Sequence, residues 1–379
     1  MPGAGNLGDD LISATLCRHV VARWPSVSLG VLAMGHSNPF SYPQAPGLRF
    51  FPAPRLRQWQ VYRGLRHAIS SFLEETDLLL IGGGGLLQDT HSPFNPYDWL
   101  SYAAKCPAKC GIWGVGLGAG PLRRLSHFYL RRMIPCFDVL QVRDQTSLDL
   151  LAGLGGRPQL SVDLAAGSSL EEMGFRKRPR ANCVGCALRP WPGLRVEDIA
   201  ALVAAVTTDR GSSVRLFTFE YFAPGNTSER QFHEELARRL TAKGIRTEHF
   251  CYREAPLAEF IEAFATVQRG IAMRLHANIL WQKLGVPVLP IAYAPKVSSL
   301  YGRQAARETP VLSVGQIQAQ TQWDPGALRF EQLDMTEVYQ LPEYSSGRVR
   351  RKSPRPVLLN ALWGAATLVY EGGRRIVGR

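Results

Sequence analysis

Two short runs hold most of the chemistry-bearing side chains of this sequence. Met273-Arg274-Leu275-His276-Ala277-Asn278 is followed, after one apolar segment, by Ala292-Tyr293-Ala294-Pro295-Lys296-Val297. An arginine, a histidine and a lysine therefore fall within one expected strand–helix–strand–loop stretch. A planar guanidinium can hold a carboxylate or phosphate through two hydrogen bonds. Imidazole is the side chain best suited to move a proton near neutral pH. Together they point to chemistry on a small, doubly anionic substrate. Arg143, in Gln141-Val142-Arg143-Asp144, and Arg189, in Ala187-Leu188-Arg189-Pro190, follow strand-like runs and join as candidate anion contacts; each fits pairing with a neighbouring carboxylate equally well.

Glycine-rich stretches supply the second kind of signal. Gly5-Asn6-Leu7-Gly8-Asp9-Asp10 precedes an amphipathic run from Leu11 to Trp24, with Asn6 or Asp9 suited to cap a helix and Asn6, Gly8 and Asp9 as candidate substrate contacts. Gly82-Gly83-Gly84-Gly85 follows the most hydrophobic run in the chain and leads into Leu86-Leu87-Gln88-Asp89. Glycines at a strand end let backbone amides approach a ligand, which makes Gly83, Gly84 and Asp89 candidates too. Gly114 to Pro121 repeats the pattern after the next strand. It contains a GxGxxG-like register, but no acidic residue about twenty positions on stands at a strand end, so a nicotinamide cofactor is disfavoured.

These motifs need elements to position them. Short apolar runs alternate with amphipathic stretches, which implies α/β layers. Strands are expected at Val27–Met34, Asp77–Ile81, Gly111–Leu117, Val139–Val142 and Leu160–Val162, with helices at Gln58–Leu73 and Arg123–Ile134 and a proline-rich loop from Pro39 to Pro54. Ser168 to Arg180 is polar, basic and without periodicity, and reads as a linker. The alternation then restarts with strands at Cys183–Leu188, Val214–Phe219, Val267–Ala272 and Val286–Ile291, and helices at Val196–Thr207, Glu229–Thr241 and Leu275–Leu284. The expected architecture is two doubly wound, Rossmann-like domains facing across a cleft, with ligands at the carboxyl ends of the strands. Residues 1–167 form the N-terminal domain, on the acceptor side, with no strand before its first loop; residues 181–330 form the C-terminal domain, on the donor side; residues 331–379 form a tail.

Composition narrows the partners. The 379 residues suffice for two cores. A net charge of +13, carried largely by arginine, fits a phosphorylated metabolite, nucleic acid or an anionic membrane. Aromatic residues are not interleaved with the basic runs as base-stacking platforms, which argues against nucleic acid. Seven cysteines without a signal peptide suit reduced thiols in the cytoplasm. Cys183-Val184-Gly185-Cys186 has metal-like spacing but no second pair and an apolar setting, so no metal is expected. No apolar run is long enough to span a bilayer. Arg348-Val349-Arg350-Arg351-Lys352 and the apolar stretch Val357–Tyr370 fit either a docked C-terminal helix or a peripheral contact with the inner membrane face.

Taken in order, the motifs resemble the polysaccharide pyruvyl transferase family. The matching segments are Gly5-Asn6-Leu7-Gly8-Asp9, Gly82 to Asp89, the Gly-Pro turn at Pro121, Val142-Arg143-Asp144 with Ser147, Val162-Asp163, Arg274-Leu275-His276, and Gly285-Val286-Pro287 followed by Tyr293 and Lys296. Asp10 stands where the family often has Glu, and Gly116 to Pro121 is looser than the family's Gly-Gln-Gly-Ile-Gly-Pro. The resemblance implies a glycosyltransferase-B-like pair of Rossmann-like domains. It also implies transfer of the enolpyruvyl unit of phosphoenolpyruvate onto two hydroxyls of a glycan or lipid-linked saccharide, giving a pyruvate ketal without a cofactor. Arg143 and Arg274 would hold the donor's anionic groups, His276 would act as acid or base, and Lys296 would neutralise the departing phosphate. The rival expectation on the same fold is a glycosyltransferase with a nucleotide-sugar donor.

Overall fold

Runs such as Cys183-Val184-Gly185-Cys186-Ala187 carry no polar alternation, so they form strands covered on both faces. The computed structural model describes residues 5–33, 40, 42–44, 48–52, 71–88, 106–107, 110–171, 173–207, 212–220, 228–304, 311–320, 322–324, 328–333, 335 and 339–342. Its strands are β1 (Gly30–Ala33), β2 (Arg49–Pro52), β3 (Leu78–Leu87), β4 (Gly111–Ala119), β5 (Val139–Val142), β6 (Gln159–Leu160), β7 (Cys183–Ala187), β8 (Ser213–Thr218), β9 (Thr247–Cys251), β10 (Arg269–Ala272), β11 (Val288–Ala292) and β12 (Leu312–Ser313). The segment expected to be a loop from Pro39 to Pro54 thus contributes β2, which pairs in parallel with β1.

The chain divides into two units, and not at the expected boundaries. One unit gathers residues 1–55, 143–146 and 160–341; the other gathers 56–142, 147–159 and 342–379. The correction has a physical cause in the helix Leu7–Arg23. Its Leu7 N–H donates to the Phe219 carbonyl at 3.0 Å, Asn6 forms a bridge with Glu220, and buried Asp10 accepts from Tyr252 at 2.7 Å. The start of the sequence is therefore tied to the second sheet. The expected linker is corrected as well: Phe175 is buried and packs edge-on to Phe264, while Arg180 donates to the carbonyls of Ala265 and Leu284 at 2.8 and 2.7 Å. The expected tail is divided: Glu331 pairs with Val288 through backbone hydrogen bonds, and residues 343–379 lie outside the described residues.

The first unit contains a six-stranded sheet in the order β9-β8-β7-β10-β11-β12, every neighbouring pair parallel. Helices Val196–Val206, Glu229–Ala242, Leu257–Ala265, Leu275–Lys283 and Pro295–Gln304 connect successive strands. The strand order reverses between β7 and β10, the switch point where doubly wound sheets bind ligands. Gly185 and Gly270 pair across those two strands, and both face the indole of buried Trp281. Trp281 stacks on Phe264 with ring centroids 4.5 Å apart and donates to the Phe264 carbonyl at 3.0 Å. Cys183 and Cys186 are packing residues in buried β7, where burial pushes both thiols up. All seven cysteines are free.

The second unit holds a sheet in the order β3-β4-β5-β6, with β3–β4 and β4–β5 parallel. Leu117, Leu130, Leu140 and Leu151 join strands and helices Arg124–Met133 and Gln145–Gly153 in one core. Gly82 to Gly85, expected as a turn beyond a strand, lie inside β3. Gly83 and Gly84 have φ of 72° and 76°, left-handed backbone that accommodates the register shift after Gly84.

A Cβ at position 270 would come within 2.4 Å of Trp281 Cε3, whereas one at Gly302 meets nothing within 4 Å. Gly270→Ala should destabilise the protein by about 1–3 kcal/mol in urea unfolding. Gly302→Ala, in the exposed face of a helix, should be neutral or slightly stabilising.

Candidate active site

The switch point collects the ends of β7, β8, β10 and β11. Arg189 follows β7, Glu220 follows β8, Arg274 and His276 follow β10, and Tyr293 and Lys296 follow β11. Met273 and Arg274 N–H both donate to the Ala187 carbonyl, at 3.0 and 3.3 Å, so the β10 exit is fixed beside the β7 exit. Helix Leu275–Lys283 then starts with Arg274 as its N-cap. Asn278 holds this start by donating to the Arg274 carbonyl at 2.8 Å, and accepts from Tyr301 at 2.8 Å.

Arg274 is buried and bound to two carboxylates. Its Nε donates to Glu229 and its Nη2 to Glu220. Glu229 is 1% exposed, and its other oxygen accepts from the N–H groups of Phe219 and Glu220 at 2.8 Å each. Burial pushes the Glu229 carboxyl up against the pull of Arg274, and the two carboxylates outweigh burial to hold Arg274 protonated. The sequence-level assignment of Arg274 to a substrate anion meets this competition directly, because the guanidinium first serves to join the ends of β10 and β8.

Arg143 is similarly engaged. Its Nη1 donates to Asp163 at 3.0 Å, and its Nε lies 3.5 Å from Asp144. Asp163, which the sequence signals only through Val162-Asp163, is central here: Ala165 N–H donates to its Oδ1 at 2.9 Å, and His276 Nε2 lies 3.8 Å from the same oxygen. Burial raises the Asp163 carboxyl, but His276 and Arg143 outweigh it and leave it below the ordinary carboxylate range.

His276 is placed by a helix start. Asn6 caps helix Leu7–Arg23 by accepting from Gly8 N–H at 3.0 Å, so its carboxamide is spent on the backbone. Gly8 in the first turn lies against the imidazole; a Cβ there would fall 1.8 Å from His276 Nδ1. His276 Nε2 is buried and has no hydrogen-bond partner among the described residues. Burial depresses its basicity, Arg143 and Lys296 add to the effect, and Asp163 and Asp9 oppose it. The imidazole is therefore neutral at pH 7, and the positive end of the helix next to it acts in the same direction.

A cavity of about 40 Å³ opens among Arg143, Asp163, Leu275, Lys296 and Met335. That space takes roughly three water-sized groups, the scale of one phosphate or carboxylate. Arg189 differs from the other two arginines. Its guanidinium lies 5.7 and 5.4 Å from the rings of Trp191 and Tyr293, and its buried Nε has no partner among the described residues. The first unit thus contains Asn6, Gly8, Asp9, Arg143, Arg189, Arg274, His276 and Lys296. Gly83 and Gly84 belong to the second unit, and Asp89 lies outside the described residues. No cluster of metal-ligating side chains occurs among the described residues.

The polysaccharide pyruvyl transferase family description matches residues 6–295. The chain belongs to that family. Membership makes it an enzyme of polysaccharide pyruvylation in general. No curated protein matches the sequence significantly. Among solved structures, the chain is similar to a Listeria monocytogenes protein described as a UDP-N-acetylglucosamine 2-epimerase, with 12% identity over 83% of this chain and 84% of that one and a TM-score of 0.54. It is also similar to S. aureus MnaA, crystallised with UDP, with 11% identity over the same shares and a TM-score of 0.53. A structure of Streptococcus pneumoniae accessory secretory proteins matches 62% of this chain at 12% identity and a TM-score of 0.38, and the match spans 46% of that longer chain. At these identities the likeness bears on the fold, which is α/β with Rossmann-like parallel sheets of the glycosyltransferase-B type.

Gly8→Ala should displace the His276 ring. In NMR spectra of this pyruvyl transferase, the His276 imidazole signals should shift and titrate differently, while Gly153→Ala, which meets nothing within 4 Å, leaves them unchanged. Arg274→Ala strands two carboxylates and should cost about 3–5 kcal/mol of stability in chemical denaturation.

Proposed function

We propose that this pyruvyl transferase uses phosphoenolpyruvate as donor and forms a cyclic pyruvate ketal on two hydroxyls of a glycan or lipid-linked saccharide. The observation that carries the reading is the unpartnered His276 Nε2, its basicity lowered by burial, 3.8 Å from Asp163, which lines a phosphate-sized cavity together with Arg143 and Lys296. An enol phosphate needs one proton delivered to its methylene carbon and an anion held as it leaves. His276 relays the proton of the first sugar hydroxyl to C3, which becomes a methyl group; protonation makes C2 electrophilic, and the sugar oxygen bonds there. The C2–O bond to phosphate then breaks with its electron pair on the phosphate oxygen, and the second hydroxyl closes the ketal. Arg143 and Lys296 offset the growing negative charge. Arg189, with its free Nε, takes the carboxylate; Gly8 and Asp9 complete the wall behind His276. No cofactor or metal takes part in these steps.

The acceptor places the enzyme in the cytoplasm, working beside the membrane face where lipid-linked saccharides are assembled. The basic and apolar composition of residues 348–370 supports this placement. No helix among the described residues is long and apolar enough to cross a membrane.

The test is phosphate release from phosphoenolpyruvate with an oligosaccharide acceptor. His276→Asn should lose at least about 10²-fold in kcat/KM. Release of nucleotide from a sugar nucleotide, with no phosphate from phosphoenolpyruvate, would establish the glycosyltransferase reading instead; UDP in the MnaA structure shows that the fold accepts such a ligand in that protein. The pH profile gives a second check. Because His276 acts as a neutral base with depressed basicity, activity should persist below pH 6.5 and fall only at more acidic pH. Asp163 raises the proton affinity of His276, so Asp163→Asn should move this acid limb to still lower pH.

A further inference from the structure

Tyr293 is an aromatic side chain with a titratable hydroxyl at the switch point, and the reaction above does not use it. It stands at the exit of β11, three residues before Lys296. Trp191 packs edge-on against its ring at 4.7 Å, and the Arg189 guanidinium lies 5.4 Å from the ring centroid on the side of β7. The Lys296 ammonium lies 5.1 Å from the same centroid. The hydroxyl is buried, and its one polar neighbour among the described residues is the Lys296 ammonium, in a contact looser than a well-formed hydrogen bond. A buried phenol beside the cations of Arg189 and Lys296, with no carbonyl or carboxylate bonded to it, calls for an explanation beyond packing.

We propose that Tyr293 is a positioning residue for Lys296, and that phenol and ammonium form a proton-sharing pair which serves the departing phosphate. The inference rests on the phosphoenolpyruvate reading and deepens it. As the C2–O bond breaks, the electron pair stays on the phosphate oxygen, and the Lys296 ammonium gives that oxygen a proton. The neutral amine regains a proton from the Tyr293 phenol. The phenolate regains one from water, and the proton of the second sugar hydroxyl leaves to water through His276, so protons balance over the cycle. The electrostatics agree in direction. Burial raises the Tyr293 phenol, but Lys296, Arg274 and Arg189 outweigh it and leave it more acidic than an ordinary tyrosine. Burial lowers the Lys296 ammonium, Arg143 and Arg274 add to this, and Tyr293 opposes it.

The pair can be tested without any assumption about the reaction. In an ultraviolet titration of the full chain, one tyrosine should ionise ahead of the others in the wild-type protein. That early transition should be missing in Tyr293→Phe and should move to higher pH in Lys296→Met. Superimposable wild-type and Tyr293→Phe curves would overturn the pair. Kinetics then test its use. Removal of the phenol lowers the proton affinity of Lys296, and the acid form of Lys296 is the active one. Tyr293→Phe should therefore shift the alkaline limb of phosphate release to lower pH and reduce kcat about tenfold, with the KM for phosphoenolpyruvate unchanged. An alkaline limb at its wild-type position would refute the role. Near-ultraviolet circular dichroism of Tyr293→Phe identifies a fold defect, and Tyr293→His, which restores a titratable group, should recover part of kcat if the role is correct. A wild-type protein that releases no phosphate from phosphoenolpyruvate would refute the donor assignment, whereas the early-ionising tyrosine would stand or fall by the titration.

Discussion

The Arg274 guanidinium, held by Glu229 and Glu220, is the interaction on which the described site depends. It closes the sheet at its switch point by joining the exits of β10 and β8. Glu229 passes the constraint on through Phe219 and Glu220, and the Phe219 carbonyl receives Leu7 N–H. Two helix starts, at Leu7 and at Leu275, are thereby brought together, and His276 is caught between them. Paired buried charges of this kind add little net stability, but loss of one partner is costly, so the arrangement specifies geometry more than it strengthens the fold.

Charge at the site is therefore not what the net charge of the chain suggests. The +13 excess predicts a cationic cleft, yet Arg143 and Arg274 both face carboxylates. What is left for a ligand is a neutral imidazole, one lysine whose basicity burial reduces, and an arginine stacked among aromatic rings. Such a site grips an anion through a few directed contacts and keeps its proton carriers near neutrality. Under the proposed function, that balance suits a reaction in which negative charge builds on a departing phosphate.

Much of this was legible in the sequence where local chemistry decides. The apolar runs that became β5, β7, β8, β10 and β11 were evident, as was the location of Arg189, His276 and Lys296 after strands. β9 and helix Leu257–Ala265 were not, because Thr247-Glu248-His249-Phe250-Cys251 is an edge strand with polar, partly exposed residues. Gly82 to Gly85 misled because glycine usually ends strands, whereas here it bends one from within. The partners of the arginines could not be read at all. Glu229 lies 45 residues from Arg274, Asp163 lies 20 from Arg143, and Asp10 finds Tyr252 only in the folded chain. Asn6 illustrates the limit from the other side: its spacing fits a helix cap and a ligand contact equally, and the structure uses it as a cap.

The position of helix Leu7–Arg23 has a consequence for assembly. Asp10 meets Tyr252 across 242 residues of chain, and Gly8 meets His276 later still. Helix Leu7–Arg23 precedes β8, β9 and β10 in the chain, and these contacts can form only once those strands exist. The intervening segment of the second unit, residues 56–142, is complete well before that. His276 is thus seated only when segments far apart in the sequence have met. Contacts of such long sequence separation form slowly, because loop closure must come before they can stabilise anything.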